Sequence, residues 1–284
     1  MKVVAVIQAR TGSTRLPGKV LLPLAGRPML ERMLDRVRVA RTLDGVVVAT
    51  TRQAVDGSIR QLCARLGVDC VSGDADDLIA RHLLAARTTG AEVVVKIPSD
   101  CPLIDPQVID TVVGFFRAQH PRYAFVSNLQ PATWPDGNDV EVMRRDVLEQ
   151  ADREATRAFQ REHTTPFIWD QPERFTVANV VRPDGRDLSA THRLTIDYRE
   201  DYAVLNAVFE ALHKPEGPPF SVEQIADYLD AHPEVQALNR QHLGSSWTSR
   251  HLDELRTLRR AARAPQDISP PGISPPGISP EVNS

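Results

Sequence analysis

The sequence predicts an α/β fold, a parallel sheet covered by helices on both faces, and three observations carry that prediction. Residues 3–9, 45–51 and 91–97 are apolar, largely β-branched runs without alternation, the pattern of strands buried on both faces. Between them lie segments whose apolar residues recur at helical spacing, so strand and helix alternate as in βαβ units. A loop short on side-chain bulk and rich in cations, from Arg10 to Lys19, follows the first run. Ligands of open α/β sheets bind outside such strand ends.

Each element follows in order. Residues 28–37 place Met29, Leu30, Met33, Leu34 and Val37 on one helical stripe, with Pro28 suited to a first turn. Residues 45–51 are a second strand, 59–66 a helix, 69–72 a short strand, and 77–87 a helix with Leu78, Leu83 and Leu84 inward. Residues 91–97 form another two-faced strand, then an acid-bearing Pro-rich turn spans 98–106, a helix 107–118 and a strand 123–127. From about Leu129 the rhythm breaks at Pro131, Pro135 and Gly137. Residues 129–192 are expected to be an α+β insertion that closes over the sheet edge as an acceptor lid, with a strand-like 139–143, a charged helix 144–159 and a homodimer surface. Residues 193–198 are expected to return as a strand, 200–212 as an amphipathic helix and 222–231 as a further helix, with a weaker one beyond Pro233.

The expected organisation is therefore a nucleotide-binding core of 1–128 with 193–213, the insertion 129–192, C-terminal helices over 214–263, and a tail. In that tail Ile268-Ser269-Pro270-Pro271-Gly272 recurs as Ile273-Ser274-Pro275-Pro276-Gly277 and again begins at Ile278. Such a repeat forms neither ladder nor core, so residues 264–284 are expected to be disordered.

Composition narrows the partner. A formal net charge of −3 over 284 residues gives no general affinity for nucleic acid or a membrane surface, so Arg10, Arg15, Lys19 and Arg27 matter as a local cluster that suits a small anion. Cys63, Cys70 and Cys101 show no metal-site spacing and are an odd number for a disulfide framework, which reads as reduced thiols. No stretch has the length of a membrane span or the layout of a secretory leader, and the expectation is a soluble cytoplasmic protein.

The loop itself reads as a polyphosphate cradle. Gly12 and Gly18 let backbone amides approach a bound group, Thr11, Ser13 and Thr14 add hydroxyls, and Arg10, Arg15 and Lys19 supply charge. It is neither of the two commonest cradles. Five residues separate Gly12 from Gly18 and Val20 follows Lys19, which excludes the Walker spacing, and there is no G-x-G-x-x-G.

Gln8-Ala9-Arg10-x-Gly12-Ser13-x-Arg15-Leu16-Pro17-Gly18-Lys19 resembles the signature loop of sugar-activating cytidylyltransferases, in particular the SpsF-type branch of spore-coat polysaccharide biosynthesis, with the CMP-Kdo and CMP-sialic acid synthetases as relatives. Four later stretches extend the likeness. Ser99-Asp100-Cys101-Pro102-Leu103-Ile104-Asp105-Pro106 is similar to the family's G-D-C-P-L-I-D-P turn, with Ser99 in place of Gly. Pro135-Asp136-Gly137-Asn138-Asp139-Val140-Glu141-Val142 is similar to P-D-G-L-D-V-E-V, Arg161-Glu162-His163-Thr164-Thr165-Pro166 to R-E-H-V-T-P, and Thr195-Ile196-Asp197-Tyr198-Arg199-Glu200-Asp201-Tyr202 to T-V-D-Y-P-E-D-F, with Arg199 in place of Pro.

The resemblance implies a Rossmann-like fold of the nucleotide-diphospho-sugar transferase type. It implies transfer of CMP from CTP to an oxygen of a small, anionic sugar-like acceptor, with release of pyrophosphate and with magnesium (Mg2+) as cofactor. Asp100 and Asp197 would then hold the metal and, with Arg10 and Lys19, form the catalytic set; CTP would meet Gln8, Ala9, Arg10, Gly12, Ser13, Arg15, Lys19, Arg52, Gly73 and Asp100. The acceptor would meet Asn128, Asp136, Asp139, Glu141, Glu162 and His163, and His163 is the candidate proton acceptor because an unperturbed imidazole titrates near neutrality. Other readings stay open. Asp100 is equally placed to cap its own turn and Asp197 to cap the following helix, and the acids of the insertion to scaffold an irregular loop. Transfer to a phosphonate or phosphate ester, transfer of a uridylyl or guanylyl group, and a non-catalytic nucleotide-binding scaffold are the alternatives for function.

Overall fold

The computed structural model of the chain describes residues 1–258, so the repeat tail expected over 264–284 lies outside the described residues. The strands are β1 (Val3–Gln8), β2 (Pro23–Leu24), β3 (Arg27–Pro28), β4 (Gly45–Thr51), β5 (Asp69–Gly73), β6 (Val93–Pro98), β7 (Phe125–Ser127), β8 (Glu141–Arg144) and β9 (Val177–Asn179). The helices are α1 (Met29–Val37), α2 (Gly57–Leu66), α3 (Leu78–Thr89), α4 (Pro106–Ala118), α5 (Arg145–Glu154), α6 (Ala158–His163), α7 (Pro166–Trp169), α8 (Arg199–Leu212), α9 (Val222–Ala231), α10 (Pro233–Gln236) and α11 (Trp247–Arg250).

Seven strands form one sheet in the order β5-β4-β1-β6-β8-β7-β9, and β2 and β3 make a separate small hairpin. Pairing is parallel except where β8 runs against β6 and β7. Alternate residues of the central strands point into two apolar layers. Val3, Ala5 and Ile7 join α1, α2, α4, α8 and α9 on one face, while Val4 and Val6 join α3 and α5 to α7 on the other. That two-sided burial is why these strands read as continuous apolar runs. Helix starts are fixed by short polar side chains: Asp77 accepts from Ala80 N at 3.0 Å, and Asp105 from Gln107 N at 2.8 Å with Pro106 in the first turn.

Three expectations about residues 129–198 differ from the structure. Residues 141–144 do not belong to a lid at the sheet edge; they are a central strand, because Val142 and Met143 are both fully buried, one in each apolar layer. Residues 144–159 form two helices, α5 and α6, since Ala155 leaves the helical region at φ −70° and ψ 115°. Residues 193–198 are extended but are not a strand of the sheet. A single bridge joins Arg193 to Asp136.

Candidate active site

The loop after β1 is shaped by its own backbone and by one buried acid. Thr11 O accepts from Ser13 N and Gly18 N, both at 2.9 Å, and the turn that returns the chain needs Gly18 at φ +70°. Asp56, fully buried, accepts from Thr11 N and Thr11 Oγ1 at 2.7 Å each and from Thr51 Oγ1. Burial alone would raise its pKa, but the hydrogen bonds from Thr51 and Thr11 hold it below the usual carboxylate range. The cradle is thus anchored to β4 by a residue that no loop motif marks.

Lys19 carries the centre of the site. Its Nζ donates to Ile196 O at 2.6 Å, to Asp197 Oδ1 at 3.0 Å and to Asp100 Oδ2 at 3.4 Å. The two acids, 97 residues apart in sequence, therefore meet on one buried ammonium. Burial works against that charge, yet Asp100 and Asp197 outweigh it and raise the Lys19 pKa. Backbone contacts bring the acids together: Asp100 O accepts from Ile196 N at 2.9 Å and from Thr195 Oγ1 at 3.1 Å.

Asp197 also accepts from Arg15 at 2.7 Å and lies 3.4 Å from Arg193. Burial would raise its pKa; Lys19 foremost, then Arg15 and Arg193, draw it below the ordinary value. The start of α8 is capped by Asp201, which accepts from Asp197 N at 2.9 Å and Tyr198 N at 3.0 Å, so the carboxylate of Asp197 is released from that task. Arg193 holds both acids in register, at 2.9 Å from Asp201 and 2.7 Å from Asp136.

The residues expected for the acceptor line the same cavity, Asp136 being joined to Asp197 through Arg193. The β6–β8 register places Lys96 opposite Glu141, and they form a buried ion pair. Glu141 also accepts from Thr165 Oγ1 at 2.6 Å. Gly137 lies against the extended segment so closely that a Cβ there would be 2.5 Å from Leu194 C and from Thr195 N, at φ +102°. That contact is why the segment carrying Asp136 and the segment carrying Asp197 run side by side. Confinement beside like charges raises the pKa of both Asp136 and Asp139, burial being the largest cause in each, and only Asp136 has an arginine against it.

Two expected roles do not fit. The Asn128 amide donates to Asn138 O at 2.7 Å and accepts from Val140 N at 2.9 Å, so it clamps the backbone of the acid-bearing loop. His163 is not poised as a base: its ring is stacked on Trp247 at 3.9 Å and 16°, and burial first, then Lys96, lower its pKa to about 3. The residue after it makes a strained turn. Thr164, at φ 71° and ψ −55°, is the centre of a γ-turn closed by Thr165 N on His163 O at 2.8 Å.

One cavity of about 700 Å³ joins both halves. Of the residues expected to meet CTP, the acceptor or the metal, all line it except Gly12, Arg52 and Gly73. Thr11, Gly18 and Arg27 do not line it either, and Arg27 lies 3.7 Å from both Glu31 and Asp35 instead of joining the cation cluster. Arg52 is exposed outside it, and Gly73 lies behind Arg81, whose side chain comes within 3.2 Å of where a Gly73 Cβ would be. Arg81, Lys96, Thr165, Trp134 and Trp247 line the cavity without having been singled out. Lys96 sits inside an apolar strand run, and that anomaly was the available signal; Arg81 and Trp247 carry none at the level of spacing.

Chemistry that suits this end of the sheet is transfer of a nucleotidyl group, in which protein supplies fixed positive charge for a triphosphate and orients the attacking oxygen. The molecule has the nucleotide-diphospho-sugar transferase fold, and fold and site together define a nucleotidyltransferase. The chain belongs to the cytidylyltransferase family, whose model matches residues 4–230, and is a CTP-dependent enzyme of that class. It is 35% identical over 242 residues to the uncharacterized protein MJ1063 of Methanocaldococcus jannaschii, covering 84% of this chain and 95% of that one. The spore coat polysaccharide biosynthesis protein SpsF of Bacillus subtilis is 28% identical over 235 residues, 81% of this chain and 95% of that one. A shorter match, 37% over 114 residues, joins 40% of this chain to 45% of the 3-deoxy-manno-octulosonate cytidylyltransferase of Geobacter sulfurreducens. Among solved structures, a cytidylyltransferase from Leptospira borgpetersenii superposes with a TM-score of 0.78 at 32% identity, over 87% of this chain and 98% of that one.

Proposed function

We propose that this enzyme transfers CMP from CTP to an oxygen of a small anionic sugar-like acid and releases pyrophosphate. The observation that carries the reading is the meeting of Asp100 and Asp197 on Lys19 in a cavity that Asp136, Asp139 and Glu162 also line. Lys19, Arg10 and Arg15 bind the triphosphate, Lys as a point charge and the arginines as planar forks. The sugar-like acceptor is supported by what SpsF and the octulosonate enzyme are named for.

The donor set suits a magnesium ion. Among the described residues no group of three or more His, Cys, Asp or Glu is placed to hold a metal ion by itself, but two carboxylates plus phosphate oxygens and water is how magnesium is commonly held. Asp100 and Asp197 would hold it, and when bound it supplies positive charge at the α-phosphate. Holding the acceptor's proton falls to the Asp136 carboxylate, whose raised pKa moves it towards the working range of a base.

The test is pyrophosphate release from each of the four ribonucleoside triphosphates, with 3-deoxy-manno-octulosonate, a phosphonate and a phosphate ester as acceptors. Release from CTP with the sugar acid, abolished by a chelator and restored by magnesium, is expected. Release only with the phosphonate or the ester would move the acceptor class, and CTP binding without any release would favour a scaffold.

A further inference from the structure

The family match stops at residue 230, but the cavity wall does not. Gly244, Ser245, Ser246, Trp247, Thr248 and Arg250 line the cavity on the side of His163, so a stretch outside the matched region contributes directly to the acceptor half. The stretch is fastened beyond the cavity. Leu255 is fully buried in the apolar layer of α5 to α7, and Asp170 accepts from Arg256 N at 2.9 Å and from Thr257 N and Oγ1 at 2.7 Å each. His251 stacks on Phe159 at 5.3 Å and 24°. The polar and stacking anchors, Asp170 and Phe159, flank the part of the chain that carries Glu162, His163 and Thr165.

Between cavity and anchors, Trp247 lies flat on His163 at 3.9 Å, with Trp169 at 6.3 Å. Arg250 is exposed and makes no hydrogen bond or ion pair with another described residue. The neighbouring cation, Lys96, is already paired with Glu141. Among the described residues the strap therefore offers an uncommitted guanidinium, a broad aromatic surface, the Ser245 hydroxyl and the Ser246 and Thr248 hydroxyls, which bond each other at 2.9 Å.

We propose that residues 244–258 form a C-terminal strap that selects the acceptor, with Trp247 as the surface against which the acceptor's ring rests and Arg250 as the group that binds its carboxylate. The proposal rests on the reading of this cavity half as the acceptor site. An aromatic ring suits the C–H face of a sugar, Ser245, Ser246 and Thr248 suit its hydroxyls, and a guanidinium engages a carboxylate through two parallel hydrogen bonds. The strap, outside the matched region, would add to the acceptor contacts that Asp136, Asp139 and Glu162 make from within it.

The test uses the full chain and steady-state pyrophosphate release from CTP, with 3-deoxy-manno-octulosonate and its 8-amino-3,8-dideoxy analogue as acceptors. Arg250→Ala is expected to raise the acceptor KM about tenfold, the loss of one charge-assisted contact, with the KM for CTP unchanged. Trp247→Ala should raise the acceptor KM as well, and Trp247→Phe should restore most of it. Asp170→Asn, outside the cavity, should raise the acceptor KM by loosening the anchor. An unchanged acceptor KM in both Arg250→Ala and Trp247→Ala overturns the proposal, as does a parallel rise in the KM for CTP. No release by the native chain with either acid overturns the assigned acceptor class and the strap together, whereas release that the variants do not alter overturns the strap alone.

Discussion

Asp100 and Lys19 make different kinds of contact, and the difference sets what substitution should do. The backbone of Asp100 holds the extended segment at Ile196, while its carboxylate is partly open to the cavity and touches Lys19. Asp100→Asn should therefore leave the fold intact, by an unchanged thermal midpoint, and lower turnover by at least a hundredfold, the scale expected when fixed charge at the reacting phosphate is lost. Asp139 tests the electrostatics differently. Its folded pKa is raised, so its contribution to stability is fullest below the ordinary value of 3.8 and is lost as pH climbs towards the folded value. Asp139→Asn should gain thermal midpoint over the native chain progressively from pH 4 to pH 8; curves that stay parallel would contradict the raised pKa. At this scale the sequence marked Lys19, Asp100 and Asp197 because a spaced run of Gly and cations and an acid at a turn are local patterns. It could not mark Arg193 or Asp201, whose parts depend on three separate stretches converging. Spacing likewise does not show that burial and the neighbouring cations lower the pKa of His163, which works against its expected part as a base.

The elements that position these residues are held by close backbone approach. Gly137 lets the loop before β8 lie against residues 194–195, and hydrogen bonds from Leu194 N to Asp136 O and from Asp136 N to His192 O tie that loop to the segment carrying Asp197. Gly137→Ala places a Cβ at 2.5 Å from two backbone atoms. Denaturant unfolding should show a loss of about 2 kcal/mol or more, the size of an unrelieved overpacking clash at strained φ, together with reduced pyrophosphate release. A variant as stable and active as the native chain would mean that the two segments are not coupled there. The long strands were legible since each is a two-faced apolar run. The short β8 was assigned to an insertion because Pro135 and Gly137 precede it and only four residues pair, leaving too little pattern to reveal a central strand.

Across the whole molecule, the candidate site lies at one end of the sheet, where the ends of β1 and β6 and the loop before β8 share a cavity. Residues 264–284 lie outside the described chain, and their repeat suggested no part in a core. Deleting residues 265–284 should leave the rate of pyrophosphate release unchanged; a large loss would place the tail in the site. The expected homodimer through residues 129–192 stands as a proposal that sedimentation of the native chain decides, and a monomer at micromolar concentration would refute it. The overall α/β alternation was legible from the first hundred residues, while the path of residues 244–258 back to His163 was not, since nothing in a short aromatic and polar stretch says which surface it covers.

The central claim is that Asp100 and Asp197 act as one unit beside Lys19. The most direct measurement is a double-mutant cycle on the turnover of CTP, with Asp100→Asn, Asp197→Asn and both together. If the two carboxylates serve one function, each single variant loses most of the activity and the double variant loses little more. Losses that multiply independently, or near-normal turnover in either single variant, would contradict the account.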